Sequence, residues 1–146
     1  MLLIGTKNFT TQSLLTNGLV NLGNVYRKYC KKDCGVKTFD FTSNSISLQK
    51  SGIYQITVTA VVSAPTAGDV TLQLYENGVA ISGALATETI TTATTEFHTM
   101  TIDHFVLVDS DCVLGNATTL AKSITLVNTG IPSTISNVVV DVVKVV

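Results

Sequence analysis

The sequence is poor in charge: 13 % of its 146 residues are Asp, Glu, Lys or Arg, and it has no tryptophan and only two prolines. So few ionisable groups leave little material for acid–base or nucleophilic chemistry. The chain contains no glycine-rich phosphate loop, no Gly-x-Ser-x-Gly elbow and no paired carboxylates at a recognisable spacing. An enzyme is not expected, and neither is a cofactor or metal site.

The longest nearly apolar run, Val138 to Val146, is broken by Asp141 and Lys144. It is too short for a spanning helix, which needs about 20 residues, so no membrane partner is expected. Met1 to Ile4 gives way to Gly5, Thr6 and Lys7 without the basic and apolar regions of a secretory signal. The three cysteines are an odd number and suit synthesis in a reducing compartment rather than a disulfide framework.

What the chain has in excess is threonine and valine, 23 and 19 copies. β-Branched side chains lose rotamer freedom in helices and pack well on sheets. With no sustained 3.6-residue apolar period, the sequence reads as an all-β fold, a single domain large enough to bury about two-thirds of its extended surface. In the strand expected from Ile53 to Val62, Tyr54, Ile56, Val58, Ala60 and Val62 share one face, with Gln55, Thr57 and Thr59 on the other. Asp69 to Tyr75 alternates in the same way and leads through Glu76-Asn77-Gly78 into Val79-Ala80-Ile81. Asn-Gly between apolar runs is a strong hairpin signal because both residues accept positive φ.

Further strands are expected at Leu19 to Tyr26, Thr38 to Phe41, Ser45 to Gln49, Leu85 to Glu96, His98 to Val108, Ser123 to Val127 and Ile135 to Val146, with a turn at Asp109-Ser110-Asp111. About ten strands at this spacing suit an antiparallel two-sheet sandwich. The last strand carries valine on both faces, Val138, Val140 and Val142 against Val139, Val143 and Val145. Apolar residues on both faces imply cover on both, from a second subunit or from a central strand lying under a loop.

The segment Ser47-Leu-Gln-Lys-Ser-Gly-Ile-Tyr-Gln-Ile-Thr-Val, followed by Gly68-Asp-Val-Thr-Leu-Gln-Leu-Tyr-Glu-Asn-Gly78, resembles the jelly-roll domains of the tumour necrosis factor and complement globular-head superfamily. The likeness spans roughly residues 37 to 146. The chain is also similar to the small jelly-roll proteins of tailed-bacteriophage particles: capsid-decoration proteins, head fibres and fibre tips. The resemblance implies an all-β, antiparallel two-sheet jelly-roll sandwich of about ten strands, tumour necrosis factor-like, assembled as a homotrimer. It also implies a non-enzymatic virion structural protein, made in the bacterial host cytoplasm and incorporated into the virion. A carbohydrate or receptor-binding module for host attachment is the alternative, with a host surface glycan as ligand. Residues 1–24, uncharged except for Lys7 and rich in Thr, Asn and Leu, are expected to be an extended amino-terminal anchor to other capsid or fibre proteins, and residues 25–146 the jelly roll.

Four groups of residues have the composition of a site. His98 and His104, with Asp103, share one strand, and period two puts both imidazoles on one face; a metal would need further ligands. Cys30 and Cys34 have three residues between them rather than the two of a zinc knuckle, and Cys112 lies far away; they read as ordinary thiols. Asp109 and Asp111 lack the six to eight oxygens that calcium takes. Arg27, Lys28, Lys31, Lys32 and Lys37, opposed only by Asp33 and accompanied by Tyr26 and Tyr29, form a basic cluster. The rest of the chain holds four basic and nine acidic residues, which would repel a polyanion, so nucleic acid is not expected. An acidic protein surface fits the cluster better, beside the simpler reading of a solvated loop. Asn8-Phe-Thr10 and Asn116-Ala-Thr118 match the glycosylation triplet, which carries no meaning without secretion.

Overall fold

The computed structural model describes residues 2–29, 39–113, 116–119 and 121–146, with side chains described outside residues 2 and 110–120. Cys30, Lys31, Lys32, Asp33, Cys34 and Lys37 lie outside the described residues, as do the side chains of Asp111, Cys112, Asn116 and Thr118. Among the described residues all regular structure is strand: β1 (Leu2–Asn8), β2 (Gln12–Leu14), β3 (Asn24–Lys28), β4 (Phe39–Thr42), β5 (Ser45–Leu48), β6 (Gly52–Ser63), β7 (Gly68–Glu76), β8 (Val79–Ile90), β9 (His98–Val108), β10 (Ser110–Val113), β11 (Asn116–Thr119), β12 (Lys122–Asn128) and β13 (Ser133–Lys144).

A six-stranded sheet runs β3-β1-β13-β6-β9, with β2 also paired to β13, and a five-stranded sheet runs β4-β5-β12-β7-β8. The strands pair antiparallel, and β10 and β11 form a separate hairpin. The two sheets make the expected jelly-roll sandwich. Between them pack the inward residues of the alternating strands, among them Ile56, Val58, Ala60 and Val62 of β6, Val70, Leu72 and Leu74 of β7, and Val138, Val140 and Val142 of β13, all essentially buried. The Tyr54 ring is buried with them, and its hydroxyl donates to the Lys50 carbonyl at 2.5 Å, so its one polar atom is satisfied.

Several expectations hold, including the Asn77-Gly78 turn, where φ is 50° and 79°. Others shift. Leu85 to Glu96 is not a separate strand: β8 is continuous from Val79 to Ile90, and residues 91–97 form the connection to β9. Asp109 to Asp111 is not simply a turn, because β10 begins at Ser110.

The amino-terminal residues are part of the sandwich. β1 lies inside the six-stranded sheet between β3 and β13, with Leu3 and Ile4 in the core, and β2 pairs with Ser133–Ile135. The jelly roll therefore includes residues that a boundary at residues 24 and 25 would exclude. β1 also requires glycine at one place. A Cβ on Gly5 would stand 2.6 Å from the Tyr26 ring and 2.7 Å from an Asp141 carboxylate oxygen, because the ring lies across Gly5 to reach that oxygen. Gly5→Ala is expected to cost about 1–3 kcal/mol, the range for overpacking. In a double-mutant cycle with Tyr26→Ala, urea unfolding should show that most of this cost disappears once the ring is gone.

Candidate functional site

The polar and apolar surface groups that the structure describes lie on the sheets and their edges. One candidate is the outer face of the six-stranded sheet. Because directly paired residues share a face, the register sets out its rows. Val143, Gln55 and Phe105 form one, Asp141, Thr57 and Asp103 the next, and Val139, Thr59 and Thr101 a third. At the end of the sheet near the chain terminus, the Val145 amide donates to the Ile53 carbonyl, and Ile53 pairs with Leu107.

That end is apolar. Phe105, Leu107 and Val145 are 58, 54 and 51 % exposed, next to the half-buried Ile53 and Val143. Single exposed hydrophobes are ordinary, whereas these five lie together at one end of one sheet face. The two-faced valine pattern of the last strand thus resolves into a core face, Val138, Val140 and Val142, and an outer face on which Val139 and Val143 are half-buried within the chain itself.

The middle of the face is polar and hydrogen-bonded. Asp141 accepts from the Tyr26 hydroxyl at 2.5 Å, and this bond to a carboxylate is the main reason the phenol titrates above its usual range. Asp103 accepts from the Gln55 amide at 3.0 and 3.1 Å. Lys7 places its ammonium 5.5 Å from the Phe9 ring centre and 5.8 Å from that of Tyr26.

His98 and His104 both take the inward parity of β9, as period two requires, while Asp103 faces outward. They do not form a metal centre: among the described residues no group of three His, Cys, Asp or Glu is placed to hold an ion. His98 instead sits between two carboxylates, 3.4 Å from Glu88 and 3.1 Å from Glu96, joining β8 to the start of β9. Glu96 accepts from the Thr92 amide at 2.8 Å and from the amide and hydroxyl of Thr91. The Thr92 amide first, then His98 and the Thr91 amide, lower its carboxyl to about 2. Neither glutamate stood out in the sequence, and the signal that could have found them is the short connection 91–97, which folds Glu88 and His98 back beside each other.

A carboxylate whose folded pKa lies below its unfolded value stabilises the fold above the unfolded pKa, and that contribution fades as the pH falls towards the folded one. Glu96→Gln is therefore expected to lower the melting temperature at pH 7. The gap between mutant and wild type should stay constant down to about pH 5 and close between there and pH 2. Melting curves on both chains across that range check it.

The described part of the basic cluster lies at the opposite edge of the sandwich. Tyr26, Arg27 and Lys28 of β3 and Phe39, Asp40 and Phe41 of β4 line a cleft of about 540 Å³, and Tyr29 is exposed just beyond β3. Asp109 follows β9 and is exposed, and no calcium loop forms around it among the described residues. No helix among the described residues is long and apolar enough to cross a membrane.

No known protein family matches the chain, and no curated protein matches it. Solved structures do. Over 99 % of this chain and 93 % of the other, it is similar to the Eiger tumour necrosis factor of S. frugiperda, with a TM-score of 0.64 and 10 % identity. The globular domain of zebrafish complement 1qA protein matches with a TM-score of 0.58 at 8 % identity, covering 98 % of this chain and 96 % of that one. PRD1 vertex protein P5 matches with a TM-score of 0.53 at 17 % identity, covering 100 % and 99 %. At such identities these likenesses establish the fold, which is tumour necrosis factor-like.

Proposed function

We propose that this jelly roll is a non-enzymatic structural protein of a bacteriophage virion, a homotrimer serving as capsid decoration, head fibre or fibre tip. The observation that carries the assembly is the apolar end of the outer face, Ile53, Phe105, Leu107, Val143 and Val145, which a second copy would remove from water. Burying a large apolar side chain stabilises by about 1.5–3 kcal/mol, and a threefold ring repeats that gain at three contacts. The likeness to a vertex protein supports a place in a virus particle. The low charge and high valine content suit a chain that spends its life packed against others.

Docking to other virion proteins falls to the amino-terminal segment, where Phe9, Leu15 and Leu19 stand exposed. Deleting residues 2–16 would remove strands from the sheet, so substitution of these three tests the docking. The triple change to Ser should leave the fold intact and abolish incorporation. Mass spectrometry of purified particles tests the main reading: the chain should be present in near-integral ratio to another virion protein, and its absence would remove the proposal.

The cleft beside β3 favours a second reading, host attachment through a surface glycan. The exposed Tyr26 ring would face a sugar there, with Arg27 and Asp40 binding its hydroxyls, over a floor formed by the half-buried Phe39 and Phe41. Binding on a glycan array that Tyr26→Ala abolishes would favour it, and an array without signal would remove it.

A further inference from the structure

We infer that copies of this chain meet head to tail, the basic β3 edge of one against the acidic β9 edge of the next. The inference rests on the assembly reading above and identifies the seam and the surface that fits it. Across the six-stranded sheet, charge runs in one direction. Arg27 and Lys28 stand on β3, and Lys7 on the adjacent β1. Asp141 and Lys144 offset each other on the central β13, β6 carries no charge, and the far strand β9 presents Asp103 outward.

The flanking residues deepen the polarity. Beside β9, the edge strand β8 of the other sheet contributes Glu88, and the 91–97 connection contributes Glu96, with His98 between them. Beside β3 the edge strand β4 adds one opposing charge, Asp40. One long edge of the sandwich is thus basic and the opposite edge acidic, and Lys7, Arg27, Lys28 and Asp103 are all exposed.

A twofold contact of either edge with the same edge of a second copy would set arginine against arginine or carboxylate against carboxylate. Like charges facing each other across an interface are strongly unfavourable. A head-to-tail contact joins two different edges and makes every seam a basic edge facing an acidic one. In a ring whose copies meet in this way, the β3 and β1 side of the next copy would lie beside Asp103, and Arg27 and Lys7 would supply its counter-charge. The occupant of each edge is therefore a second copy of this chain, and the acidic protein surface suited to the basic strand is carried by the chain itself.

Charge reversal at one edge, at the other, and at both in the same chain tests the seam, with dissociation followed by sedimentation on dilution and folding by circular dichroism. Arg27→Glu with Lys28→Glu makes both edges acidic, and Asp103→Lys with Glu88→Lys makes both basic. Each pair should dissociate at about tenfold higher concentration than wild type or more, and the wild-type ring should weaken as salt is raised. The fourfold variant restores opposite charges with inverted polarity and should assemble close to wild type, an outcome available only if these two edges face each other. Should a reversed pair fail to fold, Arg27→Gln with Lys28→Gln and Asp103→Asn replace it, with a smaller loss expected. A wild-type oligomer that neither reversal weakens, or a fourfold variant no better than the pairs, would overturn the seam and leave the assembly intact. A monomeric wild type would overturn the assembly itself.

Discussion

Phe105→Asp combined with Leu107→Asp turns the assembly into folded monomers. Both side chains are more than half exposed on the outer face of the six-stranded sheet, so the substitutions leave the core packing of the single chain as it is. In the ring they would strand two carboxylates per copy in a surface from which water is excluded, where an unpaired charge is costly. Each contact also loses two large apolar side chains, worth about 1.5–3 kcal/mol apiece when buried. Together these effects predict association at least about a hundredfold weaker. Val139→Asp and Val143→Asp, on the same face of β13, should act in the same direction. Thr66→Asp, on the exposed loop between β6 and β7, is the reference. Thr91 would not serve as one, because its amide and hydroxyl hold the Glu96 carboxylate.

The second large effect lies inside the sandwich. Ile56 is fully buried in the middle of β6, flanked by Val142 and His104 in the neighbouring strands. Ile56→Ala removes three carbons from a close-packed interior and is expected to cost about 2–5 kcal/mol, from lost transfer energy and the cavity left behind. For a chain of this length that corresponds to a fall of about 10 °C in melting temperature. Thr66→Ala should stay within about 0.5 kcal/mol of wild type. Both comparisons need one fixed protein concentration, because association adds to apparent stability.

The parts of this fold that were legible in the sequence are those where one side of a strand meets the core without interruption. β6, β7 and β9 alternate cleanly, and their limits fall within one or two residues of the pattern. β1 escaped because a register shift between Leu2 and Ile4 turns both Leu3 and Ile4 inward, and that destroys the alternation. The segment then resembles a polar extension with a short apolar start.

β8 was hard to read for a related reason. Gly83 takes a positive φ of 82° in the middle of the strand, and the pairing with β7 shifts between Gln73 and Tyr75, so the pattern breaks in two. The outer face was anticipated only in part. The valines of β13 pointed to it, but Phe105, Leu107 and Ile53 join them only through the pairing of β6 with both β9 and β13, a relation between segments that no local pattern carries. The Glu88–His98–Glu96 cluster was missed because residues 85–96 read as continuous strand, and a continuous strand would have kept its ends apart.

The central claim is that the outer face of the six-stranded sheet is buried between copies of the chain. Light scattering on the wild-type chain eluting from size-exclusion chromatography at micromolar concentration tests it most directly. The account predicts a single species of three times the chain mass, reduced to the chain mass by Phe105→Asp with Leu107→Asp and unaltered by Thr66→Asp. A wild-type chain that elutes at its own monomer mass, or a trimer that survives the double substitution, would contradict it.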